Sequence, residues 1–347
     1  MAVAAALLTC VIAVTSIVVL VANDFAIDEQ NVQIPVDPSV LHAAGEVPDA
    51  DRNVLQAVLA LPEERKRPVG LVVFVHGDGP IPAPYHDGLY RPLWEAFARA
   101  GYASLSWDKP GVEGAAGDWL AQSMDDRARE VEAAITWARR RADIDPRRIG
   151  LWGASQAGWV LPKVAGRVRG LQFVIAVSPA INWLRQGRYN THAEQRERGD
   201  TPEQIAAEAR LHTRSLALLR RGASHAEYRR VMGADADLSA AGWTFARRNF
   251  RADATRDLPA LRDTPVLLVT AGHDRNVDAV ETTRTYRRIL AVPGRLRIRH
   301  YPDALHSIER ASLEQSELRE TLTAVFAPRS LTAPGYLDDQ RRFLAGR

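Results

Sequence analysis

A single cysteine, Cys10, stands in the 347 residues. With one thiol there is no intramolecular disulfide and no thiolate metal site, so the fold must rest on its own core. Lysine is almost as scarce, occurring only as Lys66, Lys109 and Lys163, and arginine carries the rest of the positive charge. The arginines are spread along the chain, and 45 basic residues nearly balance 42 acidic ones. That pattern offers no basic stripe for a phosphate backbone, and nucleic acid is not expected as a partner. A His-Glu-x-x-His pair, a Walker loop and a dinucleotide-type glycine fingerprint are also missing. No metal or cofactor is therefore expected.

Charge is missing from residues 2–22 as well, and the first ionisable side chain after them is Asp24. About 20 apolar residues at helical rise span a bilayer's hydrocarbon core. The run reads as a signal anchor or a cleaved secretory segment, although the usual basic n-region is lacking. A membrane tether is the reading taken forward. It makes the protein membrane-anchored or secreted, with the folded body outside the cytoplasm.

Beyond this run the periodicity alternates. Residues 31–36 and 53–61 are candidate edge strands. Residues 71–75 form a wholly apolar, β-branched run, the mark of a strand buried on both faces. A helix is expected at 91–100, a strand at 102–107 and an amphipathic helix at 125–141, where Ala128, Val131, Ile135 and Ala138 share one stripe. Strands follow at 148–152, 172–177, 265–270 and 295–301, the last two separated by a helix at 279–290. Strand and helix in alternation predict an α/β protein with a mostly parallel sheet flanked by helices. Residues 182–262 break the alternation. They carry helical stretches at 202–221 and 225–232 and no strand pattern, and read as a helical cap inserted over the sheet. The expected organisation is 1–22 anchor or signal, 23–181 first part of the core, 182–262 cap and 263–347 second part of the core.

The chemistry gathers at strand ends. Gly153-Ala154-Ser155-Gln156-Ala157-Gly158 lies between a predicted strand and a helix expected to begin at Gln156. A serine at that junction sits on a sharp turn with its hydroxyl exposed, and small neighbours let the backbone close. A nucleophilic serine needs a base and the base an orienting acid, in the chain order Ser, Asp, His. Asp274 follows the strand at 265–270 and His306 follows the one at 295–301. Open α/β sheets carry their sites at the carboxyl ends of strands. Asp278 competes with Asp274 but is expected inside the next helix, pointing elsewhere. Asp303 belongs to the histidine's own loop, and His273 precedes the acid. The turn His76-Gly77-Asp78-Gly79 follows the first buried strand, and the backbone N–H groups of Asp78 and Gln156 are the expected oxyanion hole. The His76 ring reads as structural. Trp107, Trp119, Trp152 and Trp159 are candidates for an acyl pocket or for plain core.

These segments resemble a known group. Val73-Phe74-Val75-His76-Gly77-Asp78-Gly79-Pro80 is similar to the His-Gly-Ser-Gly-Pro segment of bacterial α/β-hydrolase esterases, a group akin to serine aminopeptidase-like and dienelactone-hydrolase-like proteins. Trp107-Asp108-Lys109-Pro110-Gly111 looks like their Tyr-Asp-Lys-Arg-Gly segment, and 144–150 is similar to the lead-in to their nucleophile turn. The resemblance covers about residues 50–180 and 260–325. It implies the α/β-hydrolase fold, a triad of Ser155, Asp274 and His306, and no cofactor. The chain departs from the pattern at Asp78, Pro110 and Ala157, which stand where the group often has Ser, Arg and Gly. The function expected is hydrolysis of a small-molecule acyl substrate, with an ester ahead of an amide, a thioester or acyl transfer. A catalytically silent binding protein of the same fold is the alternative from another class.

Overall fold

A computed structural model describes residues 19–42, 53–65 and 67–346. The uncharged run at 2–22 lies for the most part outside them. Among the described residues no helix is long and apolar enough to cross a membrane.

The strands are β1 (Ile27–Pro35), β2 (Val54–Pro62), β3 (Val69–Val75), β4 (Tyr102–Trp107), β5 (Ile144–Ala154), β6 (Val174–Val177), β7 (Val266–His273) and β8 (Leu296–Leu305). They form one eight-stranded sheet in the order β1-β2-β4-β3-β5-β6-β7-β8. β1 pairs with β2, and β2 with β4, antiparallel; every later pairing is parallel. The mostly parallel α/β architecture is thus the one the alternation predicted.

The helices are α1 (Arg91–Ala98), α2 (Met124–Ala138), α3 (Leu161–Arg167), α4 (Trp183–Arg198), α5 (Pro202–Arg220), α6 (His225–Met232), α7 (Ala240–Asn249), α8 (Ala279–Ile289), α9 (Glu317–Phe326) and α10 (Tyr336–Ala345), apart from short turns. Because side chains alternate along a strand, each buried strand feeds two cores. Leu71, Val73 and Val75 of β3 join the core that holds α2, α3 and α8 on one face, while Val72 and Phe74 join the one that holds α1 and α10 on the other.

Two local readings are corrected. β5 starts at Ile144, before the predicted 148, because the β3–β5 register shifts between Val69 and Leu71. That irregularity accommodates Pro146, which has no N–H to give to the ladder. The helix expected from Gln156 is instead a 3-10 turn over Ser155–Trp159, followed by α3 from Leu161. Pro162 lies in the first turn of α3, where its missing N–H costs nothing, and it could not stand inside a longer helix.

Residues 182–262 hold α4 to α7. Asn182, Thr201, Ser224 and Ser239 cap them, each side chain accepting from a first-turn N–H. Two of these helices, α4 and α7, have no counterpart in the expected stretches. The block has a small core of its own, Leu218, Ala223, Tyr228, Met232 and Trp243, with the Tyr228 and Trp243 rings stacked at 4.2 Å.

Candidate active site

Ser155 directly follows β5 with φ +55°, in the left-handed region that non-glycine residues seldom enter. Its neighbours explain how the turn closes. A Cβ on Gly153 would lie 2.7 Å from Ala157 Cβ, and one on Gly158 would lie 2.4 Å from the Ala180 carbonyl oxygen. The Ser155 carbonyl accepts from Ala180 N–H at 2.9 Å, fastening the turn to the loop after β6.

The acid and the base come from one strand pair. The β7–β8 register places His273 opposite Leu305, so the next residue of each strand, Asp274 and His306, emerges side by side. Close approach there requires Gly272, whose Cβ would fall 2.1 Å from the Pro302 carbonyl oxygen. His306 Nδ1 lies 2.9 Å from both carboxylate oxygens of Asp274. Asp274 Oδ1 also accepts from Asn276 N–H at 2.9 Å and Val277 N–H at 2.8 Å, and its side chain is only 2% exposed. A carboxylate so held makes Nδ1 the protonated nitrogen of the neutral ring and leaves Nε2 an acceptor.

His306 and Ser155 line one cavity of about 440 Å³. Among the described residues no hydrogen bond joins the two side chains. Serine–histidine bonds of this kind often tighten only once substrate is bound. The competing groups are engaged or turned away. Asp278 caps α8, accepting from Val280 and Glu281 N–H, and His273 and Asp303 are exposed.

The loop after β3 also borders the cavity, through Gly77 and Asp78. Its carbonyls are held from behind. Lys109 Nζ donates to Gly77 O at 2.7 Å and Gly79 O at 2.9 Å, and an Arg127 arm donates to His76 O at 2.6 Å. The other arm of Arg127 donates to Gln156 Oε1, and Gln156 Nε2 donates to Asp78 Oδ1 at 2.7 Å. The two residues expected to supply the oxyanion hole are therefore bridged by their own side chains. His76 is buried, its Nε2 donating to Trp107 O at 2.7 Å, and burial with the nearby Lys109 lowers its pKa to about 3. It is a neutral, structural ring. The dipole of α3 begins at Leu161, so the N–H groups next to Ser155 belong to the 3-10 turn and not to an α-helix start.

Sequence reasoning missed Arg127 and most of the cavity wall. Arg127 sits on α2, where an arginine reads as an ordinary polar-face residue, yet it is 4% exposed. Leu331, Thr332, Tyr336 and Leu337 close one side of the cavity from the chain's last segment, which carried no signal. Of the four tryptophans considered, Trp152 alone lines the cavity. Trp107 and Trp159 are buried, and Trp119 packs edge-on against Phe245 at 5.7 Å. α4 reaches the acid's loop: Tyr189 OH donates to Asp274 O at 2.8 Å, and Gln186 and Asn190 line the cavity. Among the described residues no group of three or more His, Cys, Asp or Glu could hold a metal ion.

The family model described as X-Pro dipeptidyl-peptidase (S15 family) matches residues 51–301. No curated protein matches the chain. Among solved structures, an esterase of Pyrococcus furiosus superposes with TM-score 0.53 at 16% identity, covering 87% of this chain and 92% of that one. An esterase of Pyrobaculum calidifontis gives TM-score 0.52 at 16% identity, with 96% and 89% covered. A 2,6-dihydroxy-pseudo-oxynicotine hydrolase gives TM-score 0.51 at 14% identity, with 88% and 71% covered. At these identities the likeness is one of fold, the α/β-hydrolase fold.

Proposed function

The chain belongs to the S15 family of X-Pro dipeptidyl-peptidases and is a hydrolase of the α/β-hydrolase fold, and on that premise we propose that it cleaves a carboxylic ester through an acyl-enzyme on Ser155. One observation carries the reading: His306, paired through Nδ1 with the Asp274 carboxylate, lines the same cavity as a serine held at φ +55°.

In the proposed cycle Ser155 Oγ attacks the substrate carbonyl carbon while His306 Nε2 takes the hydroxyl proton. Asp274 holds the ring's tautomer and stabilises the imidazolium. The oxyanion is received by the N–H groups of Asp78 and Gln156. Collapse of the tetrahedral intermediate breaks the bond to the leaving alkoxide, which takes its proton from His306. Water, deprotonated by the same ring, then attacks the acyl-serine, and the acid departs with Ser155 restored. The aromatic and aliphatic lining from Tyr85, Tyr90, Trp152, Leu331 and Tyr336 favours an apolar acyl or alcohol portion. Hydrolysis of p-nitrophenyl esters of graded chain length tests the reading, with Ser155→Ala alongside. Turnover that survives in the variant overturns it.

A second reading is peptide-bond cleavage after an X-Pro pair, on the same triad. The family match favours it, and so does Glu309, the one carboxyl group besides Asp78 among the described residues on the cavity wall. Such a group could face a free amino terminus. Turnover of an X-Pro p-nitroanilide above that of matched esters would select this reading. The uncharged run at 2–22 supports a tether that keeps the body outside the cytoplasm, and release by alkaline carbonate would count against it.

A further inference from the structure

We propose that Lys109 and Arg127 are positioning residues that aim the oxyanion-binding N–H groups, an inference that rests on the hydrolase reading above. A peptide unit is planar and trans, so its C=O and N–H point in opposite directions. The carbonyl of Gly77 shares its peptide unit with the N–H of Asp78. Lys109 Nζ, 2.7 Å from that carbonyl oxygen, draws it back into the protein and turns the Asp78 N–H the other way. Lys109 does not line the cavity, whereas Asp78 does. Among the described residues the Asp78 N–H has no acceptor, which is what a donor reserved for a substrate oxygen requires. The second donor is aimed by the same geometry. Ser155 O, in the peptide unit of the Gln156 N–H, is drawn away by Ala180 N–H at 2.9 Å.

Arg127 completes the clamp. One arm holds His76 O at 2.6 Å, the carbonyl just before that of Gly77, and the other holds the Gln156 amide that bonds Asp78. Two loops from β3 and β5 are thereby locked in register. The choice of lysine at 109 fits the task. A compact ammonium satisfies two carbonyls of one tight turn, where a planar guanidinium would not fit both. Lys109 is 1% exposed, and its Nζ also lies 4.7 Å from the Trp119 ring centroid. Burial and the neighbouring Arg127 press the Lys109 pKa well down, opposed by Asp78 and Glu130. The pinning needs only N–H donors, which both protonation states of the amine possess. Glu130 of α2, a further buried acid near Lys109, accepts from Gln122 Nε2 at 2.6 Å.

The test is Lys109→Met, which keeps the stem's bulk and removes the donors. Loss of one oxyanion donor lowers kcat about 10²–10³-fold. The expected result is a fall of that order for a p-nitrophenyl ester with KM changed less than about threefold, and an equal loss of affinity for an alkylboronic acid, whose adduct on Ser155 carries the oxyanion. A merely structural lysine would lower the amount of folded enzyme and leave kcat per reactive serine, titrated with a fluorophosphonate, unchanged; that result overturns the inference. Should the variant not fold, the wild type carries the test. Its Asp78 amide proton must shift in NMR when the boronate binds, and no shift overturns the inference. Failure of the wild-type serine to react with fluorophosphonate would instead sink the hydrolase reading itself.

Discussion

Replacing Gly158 by alanine should separate catalysis from mere folding. The added Cβ would sit 2.4 Å from Ala180 O and 2.7 Å from Ala180 N, both backbone atoms that no rotamer change can move aside. Ordinary contact needs the two segments about 1 Å further apart, and overpacking of this kind costs about 1–3 kcal/mol. The same displacement would stretch the 2.9 Å bond from Ala180 N–H to Ser155 O, which aims the Gln156 N–H. A misplacement of ~1 Å at such a site lowers turnover about 100-fold. The neighbouring Gly166→Ala is the control, since its Cβ would meet nothing closer than Ala260 Cβ at 3.7 Å. It lies in α3 and should stabilise the protein by about 0.4–1 kcal/mol with turnover unchanged. The assay is urea unfolding beside kcat per fluorophosphonate-reactive serine. If Gly158→Ala loses stability while kcat per reactive serine stays at the wild-type value, the account of how the turn is fastened is wrong.

Other outcomes follow from the same geometry. Asp274→Asn should lower kcat by about 10³–10⁴-fold with KM little changed, because an amide can stabilise the wrong tautomer of His306; stopped-flow or steady-state ester hydrolysis checks it, and a loss below tenfold would refute the acid's assignment. His76 should make the protein acid-labile. Its pKa is about 3 in the fold and about 6.5 in the open chain, so as pH falls through that window the unfolded state gains a proton that the folded state does not. Stability should be fully present above about pH 6.5 and decline toward pH 3, by about 5 kcal/mol at most for this group. His76→Gln should flatten the pH dependence of the urea midpoint in that window, and an unchanged slope would count against a buried neutral ring.

The fold was legible wherever a strand is buried on both faces. β3 announces itself as a short apolar run, and the expected strand at 102–107 matches β4 residue for residue. Ser155, Asp274 and His306 each directly follow a strand, β5, β7 and the edge strand β8. What the sequence concealed are features that depend on the third dimension. Arg127 is a polar residue on an amphipathic helix until the loop after β3 covers it. Leu331 and Tyr336 reach the cavity only because α10 packs back on α1, a contact across more than two hundred residues. The start of α3 had a local signal that was passed over, namely Pro162, which belongs in a helix's first turn.

The most direct measurement is peptide mapping by mass spectrometry after the native protein reacts with a fluorophosphonate. The account predicts one phosphonyl adduct, on the peptide that contains Ser155, formed at a rate that His306→Ala lowers by several orders of magnitude. An unmodified Ser155, or an adduct whose rate ignores the histidine, would contradict it.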